Sequence, residues 1–156
     1  MKQPSFLHTA LLLLLAMPLL AWGQTANNAS HNLKENYEAH MDAFQFIKDV
    51  PVDWQQSVYL EAEPGDYVTI ARKDKHSEDW YVGSSVDENG HTSVLKLDFL
   101  TPGEKYEATI YADGKDASWE HNPQSYQITQ KKVTSKSTLT IRSASGGGFA
   151  IRLRKL

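Results

Sequence analysis

Residues 105–111 read KYEATIY, with Tyr106, Ala108 and Ile110 on one side of an extended chain and Glu107 and Thr109 on the other. A period of two is the mark of a strand with one face buried. The same alternation recurs in both directions. It sets Val68 and Ile70 apart in DYVTIAR (66–72), Leu95, Leu97 and Phe99 in SVLKLDF (93–99), Leu139 and Ile141 in STLTIRS (137–143), and Phe149, Ile151 and Leu153 in GFAIRLR (148–154), where Arg152 and Arg154 point outward. DWYVGSSV (79–86), SYQITQKKV (125–133) and a short SVYLEA (57–62) read as further strands. Turn signals at Pro64-Gly65, Asn89-Gly90, Pro102-Gly103 and Asp113-Gly114 separate them, and Asn89-Gly90 is the strongest hairpin signal because both residues tolerate positive φ. The pattern predicts an all-β fold, an antiparallel β-sandwich of about seven to eight strands, with a closed barrel as the alternative.

Upstream of residue 55 the period changes. Leu33, Tyr37, Met41, Phe44 and Ile47 recur at helical steps, and Asn32 with Glu35 has the spacing of a capping box. Pro51 cannot continue a helix, so the spacing predicts one short helix over 33–48, within a junction segment that runs to Trp54. The sandwich is expected over 55–156.

The first 23 residues hold Lys2, an apolar run from Ala10 to about Leu20, and small residues at Ala21 and Gly23. That is the pattern of a secretory signal peptide cleaved between Gly23 and Gln24, and the run is short for a membrane span. The expected location is periplasmic or secreted. Residues 24–32 (QTANNASHN) are small and polar and read as a disordered lead; Asn28-Ala29-Ser30 fits a glycosylation sequon, a pattern too short to carry weight. Removing 23 of 156 residues leaves 133, enough for one domain with a core. With Lys2 gone, 15 basic and 19 acidic residues leave a net charge of −4, which gives no reason to expect a nucleic-acid partner. The chain has no cysteine, so disulfides and thiol chemistry are excluded.

Candidate chemistry is sparse. His31, His40, His76, His91 and His121 show no metal-ligand spacing, and no calcium loop, nucleophile elbow or phosphate-binding loop is present. Gly146-Gly147-Gly148 leads into a strand and reads as a tight turn. Glu61 with Glu63, and Asp87 with Glu88, lie beside turn signals, where acids are common. No catalytic residue, metal ligand or cofactor site is assigned. The aromatics Trp80, Tyr81, Tyr111, Trp119 and Tyr126 are read first as core or contact residues. Trp80 and Trp119 are the candidate sugar contacts, because flat rings suit the C–H faces of pyranoses; Trp119 sits in the polar loop GKDASWEHNPQ.

The segments FQFIKDVPVDW, EPGDYVTIARK, DWYVGS, PGEKYEATIYADGKDA, NPQSYQI and GGGFAIRL, in this order and spacing, resemble the C-terminal domain of glycoside hydrolase family 97. The resemblance runs from about Leu33 to the end. In that family a β-supersandwich and a (β/α)8 barrel precede this domain and carry the carboxylates and calcium of α-glucoside or α-galactoside hydrolysis. The C-terminal domain is associated with packing on the barrel and with oligomerisation. The resemblance therefore implies a non-catalytic accessory or oligomerisation domain, a shortened member of the family, with no catalytic position to carry over. Its partner would be a second copy or a related glycoside hydrolase, met through Tyr37, Met41, Phe44, Ile47 and Trp54. An independent carbohydrate-binding module and a fragment of an α-glycosidase are the alternatives. No membrane span is expected once the signal is removed.

Overall fold

A computed structural model of the chain describes Glu35 and residues 37–156. The signal segment, the polar lead, Leu33 and the Asn32–Glu35 capping box therefore lie outside the described residues or depend on them. Among the described residues, helix α1 (Met41–Asp49) precedes eight strands: β1 (Trp54–Glu63), β2 (Tyr67–Asp74), β3 (Trp80–Val86), β4 (His91–Lys96), β5 (Tyr106–Asp113), β6 (Tyr126–Val133), β7 (Thr138–Ser143) and β8 (Gly148–Lys155). All pairings are antiparallel. Six strands form one sheet in the order β1-β2-β3-β8-β5-β6, and β4 with β7 forms a second, two-stranded sheet. The sandwich and its strand set match the period-two reading. The large sheet ends in open edges at β1 and β6, so it is not a closed barrel.

The main core lies between the two sheets. Trp80 and Val82 of β3, Tyr106, Ala108, Ile110 and Ala112 of β5, and Phe149, Ile151 and Leu153 of β8 meet Leu95 of β4, Leu139 and Ile141 of β7, and Leu97 and Leu100 beyond β4. The expectation of one buried face per strand holds for β4 and β7, which alternate buried and exposed. It fails for β3 and β8, which are buried along most of their length. The physical reason is a third layer: α1 lies on the opposite face of the large sheet, where Phe46 packs with Tyr81, Tyr111 and Ala150.

Two local expectations are corrected. Gly90 does take a left-handed φ of 71°, but Asn89-Gly90 does not close a hairpin. Both edges of β3 are already occupied, by β2 and β8, so the chain leaves the large sheet here and β4 joins β7 instead. The helix expected over 33–48 is α1 from Met41 to Asp49, offset from the helical residues 37–39 by a turn at His40. His40 has φ −130° and ψ 45°, outside the helical region, and its side chain caps nothing. Val50 is extended, as a residue before proline prefers.

The β7–β8 turn is fixed by Asp113 at the end of β5. This buried carboxylate accepts the backbone N–H of Ala144 (2.8 Å) and of Gly148 (3.1 Å) through one oxygen. A side chain on Gly147 would collide with the same carboxylate, which is why the glycine run is required there. Replacing Asp113→Ala leaves two buried amides without acceptors and is expected to cost about 2–4 kcal/mol in urea unfolding. A loss under about 0.5 kcal/mol, within the usual range of a surface substitution, would contradict that role.

Candidate association surface

The sequence placed the helix's contact face on Tyr37, Met41, Phe44 and Ile47. The structure separates two faces. Ala43 and Phe46 are buried against the sheet, Phe46 to 2 % exposure. Phe46 stands edge-on to Tyr81 (ring centroids 6.0 Å apart) and to Tyr111 (5.4 Å), the geometry that aromatic quadrupoles favour. The predicted stripe is on the outward side. Met41 is 47 % exposed, and Phe44 and Ile47 are half-buried. Tyr37 and Phe44 lie 4.4 Å apart, and the Lys48 ammonium sits 5.4 Å from the Phe44 ring.

Trp54 does not join the stripe. It belongs to the helix–sheet layer, half-buried, 5.8 Å from Tyr81 and with the Arg72 guanidinium 5.6 Å from its ring. Trp80 is 3 % exposed and packs on Phe99 in the main core. As a sugar contact Trp80 is therefore corrected: it offers no open ring face. Tyr81 and Tyr111 are buried as the floor beneath Phe46. Trp119 is 40 % exposed, but the cleft at its side, between Asp113 and the Gly146-Gly147 turn, has a volume of about 10 Å³. That is room for at most about one water molecule.

Polar contacts fix the helix in place. Asp49, in its last turn, accepts from Arg152 Nη1 at 2.6 Å, and Arg152 Nη2 reaches Asp79 at 3.4 Å. The Tyr81 hydroxyl donates to the Asp49 carbonyl at 2.9 Å. At the other end Tyr126 donates its hydroxyl proton to Asp42 (2.7 Å). His40 Nδ1 lies 3.1 Å from the same oxygen. The Tyr126 bond holds the Asp42 carboxyl below its ordinary range. Burial first, then the bond to Asp42, pushes Tyr126 up to about 12, and burial likewise pushes Tyr81 up to about 12.

The helix-docking residues Ala43, Phe46, Asp49 and Arg152 were missed by sequence reasoning. One signal was available: Arg152 is a charge inside the apolar run FAIRL, and an outward charge there requires a partner on that face. Of the acids considered as carboxylate pairs, Glu61 accepts from Thr69 (3.0 Å) and lies 3.5 Å from His91, joining β1 to β4, and Asp87 caps the amide of Asn89 (2.9 Å). Glu63 of the first pair and Asp87 of the second line, with Asp66, an open cavity of about 440 Å³ at the β1–β2 turn. Among the described residues no group of three or more His, Asp or Glu side chains is arranged to hold a metal, and no helix is long and apolar enough to cross a membrane.

An asymmetric antiparallel sandwich with a helix on its outer face defines a β-domain of the sandwich class. A family model described as "Glycosyl-hydrolase 97 C-terminal, oligomerisation" matches residues 53–154, and the chain belongs to that family. A retaining alpha-galactosidase of Bacteroides thetaiotaomicron is 29 % identical over 120 residues, which covers 76 % of this chain and 17 % of the relative. A glycoside hydrolase family 97 enzyme from Pseudoalteromonas sp. strain K8, solved in complex with acarbose, is 46 % identical with a TM-score of 0.76, covering 78 % of this chain and 19 % of that one. A β-arabinopyranosidase structure shares the fold at 20 % identity and a TM-score of 0.68, over 96 % of this chain and 21 % of that one. The chain thus spans less than a fifth of the length of the alpha-galactosidase and of the Pseudoalteromonas enzyme.

Phe46→Ala removes the side chain that seats the helix and is expected to cost about 3–5 kcal/mol, read as lost amide-exchange protection along α1. Met41→Ala, on the outward face, is expected to cost under about 0.5 kcal/mol; equal effects from the two would sink the two-face description. The tyrosines give a second check. Their folded values, about 12, lie above the ordinary 10.0, so their contribution is full below pH 10 and is lost as pH rises towards 12. Stability should fall through that window, with a shallower slope in Tyr81→Phe; a flat profile in the wild type would contradict it.

Proposed function

We propose that this chain is a non-catalytic association domain that pairs with a second copy through the outward face of α1. The observation that carries the reading is the apolar stripe left after the helix has docked by its other side. Met41 stays 47 % exposed, Val52 just beyond the helix is 97 % exposed, and Phe44 and Ile47 are only half-covered. Fully burying side chains of this size is worth ~1.5–3 kcal/mol each, which favours covering them. The family's own description, oligomerisation, supports the same partner. A two-fold pair is the default geometry for identical surfaces, stripe against stripe. A docked helix is a better platform than a free one, because Phe46 and the Arg152–Asp49 pair have already ordered it.

The non-catalytic part of the reading is supported by the family match, which is to a C-terminal oligomerisation domain. The carboxylates that do share a cavity, Glu63, Asp66 and Asp87, sit at the β1–β2 turn and its neighbour, where turn chemistry accounts for acids. A retaining α-glycosidase needs two carboxyl groups about 5–5.5 Å apart across a sugar site. The apolar run from Ala10 to Leu20 with Ala21 and Gly23 supports export, and mature protein beginning at Gln24.

Sedimentation across a concentration series, for the wild type and for Phe44→Asp combined with Ile47→Asp, tests the pairing. The wild type is expected to move from monomer to dimer as concentration rises. The double variant should stay monomeric with an unchanged circular dichroism spectrum, and neither preparation should turn over a nitrophenyl α-galactoside. A wild type that is monomeric throughout, or a variant that dimerises equally well, removes the proposed surface.

A further inference from the structure

The two sheets of the sandwich differ in width, and the mismatch leaves a groove. β7 pairs with β4 on one side only, and among the described residues no backbone hydrogen bond links Thr138–Arg142 to any other strand. Beyond this free edge the large sheet continues to β6, whose inner-face residues Gln127, Thr129 and Lys131 stand opposite Ala112, Ile110 and Ala108 of β5 and are exposed. Between β7 and β6 lies a cavity of about 260 Å³. Its β5 and β7 sides are apolar, with Ile110, Ala112 and Ile141 all buried, and its β6 side carries Gln127, Thr129 and Lys131.

The rim is basic. Lys115, Lys131 and Arg142 line it, and none of the three has an ion-pair partner among the described residues. The acid at the end of the groove, Asp113, has one carboxylate oxygen committed to the amides of Ala144 and Gly148. Three unpaired cations on one groove stand out in a chain whose formal net charge is −3. No aromatic ring lines the groove, so it lacks the stacking face that a sugar would use.

We propose that this groove docks an extended acidic peptide segment of a partner protein, added as a third strand beside β7. An added strand lies about 4.8 Å from its neighbour and about 10 Å from the facing sheet, which places it over the uncovered inner face of β6. Its main chain would pair with the free N–H and C=O groups of β7, the mode in which backbone bonds give affinity and alternate side chains give specificity. One set of side chains covers Ile110, Ala112 and Ile141. Carboxylates of the other set neutralise Arg142 on the outer side of β7, while Lys131, which rises from the inner face of β6, and Lys115 at the groove's end reach past the strand's margin to meet them. The added strand also removes an open edge that would otherwise template indiscriminate pairing. This surface is separate from the outward face of α1 and does not depend on the self-pairing read there.

The test uses the full chain and three labelled peptides of about eight residues, the length of a strand: alternating valine and glutamate, the same peptide N-methylated at alternate positions, and alternating valine and lysine. The glutamate peptide is expected to bind saturably, more weakly at higher salt, and to shift the amide resonances of Thr138–Arg142. N-methylation, which removes main-chain donors while keeping the charge, is expected to weaken binding at least about tenfold. Lys131→Glu combined with Arg142→Glu should weaken it by a similar factor while leaving sedimentation unchanged. The lysine peptide should not bind. Absence of saturable binding, equal binding of the N-methylated peptide, binding that survives the charge reversal, or shifts confined to other strands would each overturn the proposal.

Discussion

The central strands β3 and β8 set the main constraint on this fold. Because they are buried on both faces, the large sheet needs two covers. The small sheet supplies one, closing over Trp80, Val82, Phe149 and Ile151. Helix α1 supplies the other, and the residue that makes it a cover is Phe46, seated among Tyr81, Tyr111 and Ala150. Burial alone would leave the helix free to slide along an aromatic floor. Arg152 removes that freedom: it rises from the central strand β8 and holds Asp49 at one end of the helix while reaching Asp79 beside β3. Tyr126 and Asp42 pin the other end. A half-buried ion pair of this kind contributes little net stability after desolvation, and its value lies in orientation.

The same docking determines what the rest of the helix presents. A helix of two and a half turns with apolar residues around most of its circumference cannot bury all of them on one flat sheet. Choosing Phe46 and Ala43 for the inside leaves Tyr37, Met41, Phe44 and Ile47 for the outside. An association surface follows from geometry here, since the outward residues gain their rigidity from the inward ones.

Strand by strand, the sandwich was legible because alternation of one face is a local property: Leu95 against Val94, Leu139 against Thr140, Tyr106 against Glu107. What the sequence hid was non-local. Asn89-Gly90 carries every mark of a hairpin, yet whether β3 can pair with β4 depends on whether its edge is free, and β8, some 60 residues later, takes that edge. The helix was misjudged for a related reason. Periodicity finds apolar faces but cannot rank two of them, and Phe46, one position from Ile47, lies on the face that wins only because Tyr81 and Tyr111 project from the sheet to meet it. Trp80 and Tyr81 illustrate the ambiguity at one residue's remove, since adjacent aromatics on a strand must face opposite layers. The groove beside β7 had no sequence signature, because its basic residues come from three separate segments.

The strand order has a consequence for how the chain reaches this state. β8 is the last strand in chain order, yet it sits between β3 and β5 and pairs with both. Until it arrives, β1-β2-β3 and β5-β6 are two separate ribbons with no hydrogen bonds between them, each exposing an apolar inner face and one interior edge. Completing the large sheet is therefore a long-range closure, the kind of pairing that characterises slow, high-contact-order topologies. Wherever the chain folds, the half-sheets stay unjoined and adhesive until GGGFAIRL is available, so the window in which a chaperone is needed is set by the position of one strand.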